Sequence, residues 1–397
     1  MLQSRKKYFH YIFVLKEYMM NGFGMNFPRE IIELIIISVY KPIQISCGLG
    51  YTILLSDKIY VWGQNDHGQL GLGHKENITS PTELILPMDI KSINCGWYHS
   101  VALTYTPNKL YVWGPNFKGT LGLGHVNYQK IPTELFLCVT IKSISCGGYH
   151  TVALTNISNK LYVWGGNQFG QLGLGNNDDK KLSHELILCK SIISISCGGY
   201  HSVALLQDSD HLNQIYVWGY NNVGQLGLGD TNDRNVPCEL NLHKRVISIS
   251  CGVACTIALT NQNDIYMWGR HIESFLGKST NLPKKLIIND SIASIHCGNY
   301  FTIALTKFKS KNYYSWGYFG YPYRSKSDNS TGNETIFINH KPEYFTHDDS
   351  IISISCGGNH VIALSPSDKI YVWGHNGYGQ LGLGDTINQK LPKVLEF

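Results

Sequence analysis

Excess charge is missing from this chain. Its 33 Lys and Arg and 28 Asp and Glu leave +5 over 397 residues. Residues 1–42 hold six basic and three acidic side chains, so +2 remains for the other 355. That is too little for a nucleic-acid binder working through its whole surface. A membrane-length apolar run is missing at the N-terminus too. Tyr8–Leu15 follows Arg5-Lys6-Lys7 as in a signal peptide, but it ends at Lys16-Glu17, has no small-residue cleavage site and is too short to span a bilayer. After residue 42 no unit carries a helical stripe, which excludes a helical solenoid. No nucleophile–base pair, carboxylate dyad or metal-ligand spacing stands out. Neither an enzyme nor a cofactor, metal or small-molecule site is expected, and no membrane partner.

What is present is repetition. A Trp-Gly step recurs at Trp62, Trp113, Trp164, Trp218, Trp268, Trp316 and Trp373. A Cys-Gly step recurs at Cys47, Cys95, Cys146, Cys197, Cys251, Cys297 and Cys356. From each Trp to the next Cys the offset is 33, 33, 33, 33, 29 and 40 residues. Each unit alternates short β-branched and aromatic runs with glycine, and a proline opens the fourth run at Pro81, where its missing N–H costs least. Four short strands repeated seven times bury their faces only against neighbouring units, which predicts an all-β, seven-bladed propeller over residues 43–397.

Three linked motifs, Cys-Gly-x-x-His-(Ser/Thr)-x-Ala-Leu, Tyr-Val-Trp-Gly-x-Asn and Gly-Gln-Leu-Gly-Leu-Gly, resemble the repeats of the regulator of chromosome condensation family. Kelch repeats differ in their double glycine, and WD repeats end in Trp-Asp. The resemblance implies a seven-bladed propeller used as a nucleotide exchange factor, as a partner-binding module in ubiquitin ligases, or as a scaffold. The glycine run reads G-x-x-G-x-G with no following helix, so it is a turn and not a nucleotide fingerprint.

Residues 1–24 are expected to be a loosely ordered extension. Within residues 25–42, Phe27–Ile36 predicts a short helix with Pro28 in its first turn. It resembles the opening of an F-box, the module that docks a substrate receptor onto a ubiquitin ligase adaptor. A helix capping the propeller accounts for it equally well. Of eleven cysteines, seven share one repeat position, where they can neither pair with each other nor share a metal around a ring. They are expected to be small residues packed between sheets in a reducing, intracellular compartment, cytoplasmic or nuclear.

Blades five and six depart from the pattern. Ser274-Phe275-Leu276-Gly277 replaces one glycine turn, and residues 318–324 lose the next. The same region is basic, with nine Lys and Arg, including Lys307, Lys309, Lys311 and Arg324, against three acids over residues 278–341.

The turn after each Cys-Gly brings one residue per blade to one mouth of the ring: Tyr51, His99, His150, His201, Cys255, Phe301 and His360. These histidines are expected to hydrogen-bond within their own blades, not to bind metal. Just before them stand Tyr98, Tyr149, Tyr200 and Tyr300, with Trp97 beside Tyr98. Such aromatics either form a protein-contact surface or close the channel entrance. In exchange factors of the family that is resembled, acidic residues in these turns face the GTPase, and no turn here has one. A related plant light sensor depends on several tryptophans, where this mouth has one. The expectation is a monomeric, non-enzymatic binding module using the aromatic mouth with the basic sector. A ligase adaptor, a small GTPase and histones stand as the candidate partners. Ring closure is expected through Leu391–Phe397 pairing with residues 43–47, since an open ring would expose edges.

Overall fold

The computed structural model describes residues 43–86, 90–207, 214–270, 279–307, 312–319, 337–346 and 349–396. The chain divides into two compact units, residues 1–44 and 45–397, and the fold set out below is that of the second. The expected helix and F-box-like stretch at 25–42, and the extension at 1–24, lie outside the described residues.

Seven four-stranded antiparallel sheets follow one another along the chain, each with its strands in sequence order. Blade one comprises Gln44–Cys47, Tyr51–Leu55, Ile59–Gly63 and Ile78–Leu84. Blade three comprises Ile141–Cys146, His150–Thr155, Lys160–Gly165 and Lys180–Ile187, and blade seven Ser353–Cys356, His360–Leu364, Ile370–Gly374 and Gln389–Leu395. Blades two, four, five and six occupy residues 90–136, 192–240, 246–286 and 292–346.

The core sits between blades. Val101, Leu103, Leu110 and Val112 of blade two pack with Ile141, Ile144, Ala153 and Trp164 of blade three in one cluster. The second strand of each blade is therefore buried along its whole length, as in Ser100–Thr104 and His150–Thr155. The fourth strand stays largely exposed at the rim. First strands are stapled around the central channel: Cys95 donates its N–H to Ser46 Oγ (2.9 Å) and its thiol to the Ser46 carbonyl (3.5 Å). Cys47, Cys197, Cys251 and Cys297 repeat this bond to a serine of the neighbouring blade. The repeat cysteines thus do more than fill space, and they line a cavity of about 140 Å³.

Closure does not occur as the edge argument predicts. Gln389–Leu395 pairs with Ile370–Gly374 of its own blade, and Gln44–Cys47 pairs with Tyr51–Leu55. Among the described residues no strand is shared between blades. The seventh and first blades are joined by the bonds used at other junctions: Trp62 Nε1 donates to the Gln380 carbonyl (2.8 Å), and Gly358 N–H to the Gly48 carbonyl (3.1 Å). Side chains and turn backbones close the ring, so a swapped strand is unnecessary.

Candidate protein-interaction surface

The glycine turns are organised from within. Asn65 is fully buried, accepts the Leu70 N–H (3.0 Å) and donates to the His74 carbonyl (3.1 Å). Asn116, Asn167, Asn221 and Asn376 do the same in their blades. Each turn seats the next blade's tryptophan: Trp113, Trp164 and Trp218 donate their indole N–H to the carbonyls of Gln69, Thr120 and Gln171. At Gly71, where φ is +77°, a Cβ would come within 3.0 Å of the Trp113 ring, so both conformation and space require glycine.

Beneath the mouth, the ring-position residues reach forward into the following blade. His99 Nε2 meets Thr151 Oγ1 (2.9 Å), His150 meets Ser202 (2.8 Å), His201 meets Thr256 (2.9 Å) and His360 meets Thr52 (3.0 Å). Tyr51 takes the role in blade one, its hydroxyl 3.0 Å from Ser100 Oγ. The expectation of bonds within one blade is therefore corrected. Each hydroxyl also donates to a carbonyl of the preceding blade's glycine turn, as Thr151 does to Thr120, and for Trp62, Trp113, Trp164 and Trp218 that carbonyl is the indole acceptor as well. The hydroxyl proton is thereby committed, so the histidine must be the donor, protonated at Nε2. Burial pushes His99 and His201 down to about 4, and His150 and His360 to about 3. They are neutral staples. Among the described residues no group of three or more His, Cys, Asp or Glu could hold a metal ion.

Above this layer the aromatics gather. Trp97 spans three blades, because a Cβ at Gly148 or Gly199 would strike its ring at 2.9 and 2.8 Å. Its centroid lies 5.4 Å from both Tyr149 and Tyr200, edge-on to each, and those two stack at 5.6 Å. Tyr98 continues the arc at 6.5 Å from Tyr149. The four residues singled out by sequence in blades two to four are thus one surface. Tyr300 stands at the same end of the ring, in blade six. Burial raises the hydroxyls of Tyr98 and Tyr200 to about 12 and raises that of Tyr149 above the usual phenol range, so all three stay neutral donors.

Sequence reasoning missed half of this surface. Phe117 packs on Tyr128 (5.0 Å) and Tyr149 (6.1 Å), Phe169 on Tyr200 (5.3 Å) and Tyr220 (4.3 Å), and His67 on Tyr98 (5.8 Å). These come from the connection between third and fourth strands. Antiparallel pairing brings that connection beside the mouth turn, as when Gly166 N–H bonds the Tyr149 carbonyl (2.7 Å). Aromatic residues just past each Trp-Gly step were the available signal.

The basic sector does not join this surface through Lys307. That exposed lysine ends the second strand of blade six, Phe301–Thr306, whose first residue is at the mouth, so Lys307 sits at the opposite end of the ring. Lys309, Lys311 and Arg324 lie outside the described residues.

Residues 22–334 match the RCC1-like domain, and residues 351–380 and 367–397 each match a regulator of chromosome condensation (RCC1) repeat. The ultraviolet-B receptor UVR8 of Arabidopsis thaliana is 30% identical over 370 residues, 90% of this chain and 82% of that protein. The human E3 ubiquitin-protein ligase HERC2 is 30% identical over 371 residues, 88% of this chain but 7% of the ligase. The crystal structure of Prp20p from Saccharomyces cerevisiae, described with its binding to Gsp1p and histones, has a TM-score of 0.71 at 21% identity and covers 86% of each chain. The fold, its repeat motifs and these matches place the chain in the RCC1-like domain family.

Proposed function

We propose that this chain is a monomeric, non-catalytic interaction module whose aromatic mouth on blades two to four binds a protein partner. The observation that carries this is the contact between Trp97, Tyr98, Tyr149 and Tyr200, all half-buried and none charged. Their mutual packing fixes their rotamers before any partner arrives, so little side-chain entropy remains to be lost on binding. Aromatic residues held in this way supply the large contacts that dominate interface energetics. The names of relatives agree in kind: Prp20p is described with protein partners, and HERC2 is a ligase containing a region like this one.

The exchange-factor reading is less favoured. The mouth turns at residues 48–50, 96–98, 147–149, 198–200, 252–254, 298–300 and 357–359 carry no acid to oppose a GTPase. A role as ligase substrate receptor through Phe27–Ile36 rests on residues outside those described, and the ring does not argue for it.

The test is comparative capture from cell extract. Wild type, Trp97→Ala, Tyr149→Ala and the opposite-end variant Lys58→Ala are used as baits in parallel. The reading expects at least one protein held by wild type and Lys58→Ala and lost from both mouth variants. A partner retained by all four baits would place the interface elsewhere.

A further inference from the structure

The cavity of about 140 Å³ lies at the mouth end of the central channel, where the seven Cys-Gly steps turn. Leu49, Trp97 and Val253 give it an apolar wall, Asn299 adds an amide, and it is lined by no ionisable side chain except the cysteine thiols. Its hydrogen-bonding groups are unbalanced. In each turn the glycine after the cysteine, and the residue after that, donate their N–H to a carbonyl of their own or the following blade. Gly147 does so to His150 (2.8 Å) and Val253 to Asn299 (3.2 Å), and Trp97 alone does not. Yet the carbonyls of Gly147, Gly252, Gly298 and Gly357, all in the lining, receive no donor among the described residues. Donors are spent and acceptors remain. Charge around the mouth leans the same way. In blades one to four and seven, the connections at residues 64–77, 115–128, 166–179, 220–233 and 375–388 hold seven acids and two bases. The strands they lead into begin with Lys180 and Arg234, each paired with one of those acids, so acid stays in excess there.

We propose that this cavity anchors the protein partner, which fills it with the side chain of a lysine. The inference rests on the mouth being the binding face and names the group that enters it. An ammonium carries three donors and no acceptor, which matches a site whose own donors are committed. The ring of carbonyls supplies the hydrogen bonds that a charge leaving water requires. An apolar side chain would leave those acceptors unpaired, and an anion would meet only acceptors. A cavity of this volume takes a guest about the size of benzene, which is room enough for the end of a lysine. Its methylene stem would lie against Leu49, Trp97 and Val253, with the cation drawn to the indole face. The planar fork of an arginine is suited to acceptors set in one plane, such as a carboxylate, and less to a ring of them. The excess acid around the mouth attracts a basic segment at long range, where it speeds encounter.

Random dodecamer peptides displayed on phage are the probe. They are panned on the full-length protein and on Trp97→Ala, Tyr149→Ala and Val253→Lys, the last of which sends an ammonium into the channel from within. The proposal expects peptides that wild type enriches and Val253→Lys does not, all sharing a lysine at one position. In a synthetic copy, replacing that lysine with norleucine or Nε-acetyl-lysine should weaken binding to wild type about tenfold or more, read by fluorescence anisotropy. That arm alters the peptide and leaves the protein intact, so it stands even where a variant does not fold. Peptides lost from Trp97→Ala and Tyr149→Ala that share no lysine, or that tolerate norleucine, overturn the lysine anchor and leave the aromatic mouth as the binding face. Peptides held equally by wild type and both of those variants overturn the two readings together. A library that yields no mouth-dependent peptide likewise overturns the anchor.

Discussion

Blades two to five and blades five to seven are built from the same strands but joined differently. From blade two through blade five, every junction links histidine, hydroxyl and turn carbonyl in series. At the sixth blade the chain departs in two ways. Where Phe301 takes the ring position, the next blade offers Val361 in place of a hydroxyl, and both are buried in one apolar cluster. No donor is stranded. Where Cys255 takes the position, Thr302 remains and its hydroxyl lies 3.8 Å from the Cys297 sulfur. Trp316 Nε1 is buried with no hydrogen-bond partner, as is Trp268 Nε1 at the regular junction before it. At the junction of blades six and seven the staple is thus removed as a pair, so neither half is left to bear the desolvation cost of an unmade bond. The regular junctions carry the aromatic surface.

The largest effect that separates the two regions should come with acid. His99, His150, His201 and His360 are neutral in the fold down to about pH 3–4, whereas in the unfolded chain they protonate near 6.5. Between those values the unfolded state binds more protons, so stability is full above pH 6.5 and falls as pH drops towards 3–4. Each histidine should contribute ~3–5 kcal/mol across the full window. Denaturant midpoints measured from pH 8 to 4.5 should fall steeply, and His150→Gln should flatten the slope. A midpoint independent of pH below 6.5 would show that these histidines are not buried neutral staples.

Tryptophan comparisons come next. Trp164→Phe leaves the Thr120 carbonyl without its indole donor, whereas Trp316→Phe removes an N–H that bonds nothing. The first should cost ~1–2 kcal/mol more than the second on chemical denaturation, after a similar loss of packing. Equal losses would mean that the indole bond adds nothing. Removal as a pair can be tested at the same scale. Thr151→Val should cost ~1–3 kcal/mol by stranding His99. Adding His99→Phe, which copies Phe301 opposite Val361, should recover part of that cost. Strict additivity in the double variant would show that pairing recovers nothing.

The same contrast explains what was legible in the sequence. Trp-Gly and Cys-Gly steps at constant offset mark each unit's third and first strands, so the seven sheets and their burial follow from pattern alone. The mouth turns could be placed because Cys-Gly ends the first strand, and that put Trp97, Tyr98, Tyr149 and Tyr200 on one arc. Reading each unit by itself hid whatever crosses a junction. The partner of His150 is Ser202, 52 residues away. The closure bond from Trp62 reaches Gln380, 318 residues away. Phe117 and Phe169 were missed for the reverse reason: they lie in the sequence far from the mouth turns that antiparallel pairing brings beside them. Charge counted along the chain left the face of Lys307 open, and strand direction places it at the end of the ring opposite the mouth.

Smaller effects should appear in binding. Replacing Tyr149 or Tyr200 with Ala should weaken a captured partner by ~1–2 kcal/mol, roughly tenfold in affinity. Lys307→Ala, at the opposite end, should change affinity by less than ~0.5 kcal/mol. Titration calorimetry or surface binding would rank the three, and a reversed ranking would move the interface to the hairpin end of the ring.

Hydrogen exchange of the ring, alone and with its partner bound, tests the account most directly, because it reports on every blade at once. Protection on binding should concentrate at residues 96–98, 147–149 and 198–200 and in the neighbouring connections at 115–128 and 166–170. The hairpins at 56–58, 106–108 and 157–159 should be unchanged. Protection confined to those hairpins, or to blades five and six, would contradict the assignment of the aromatic mouth as the binding face.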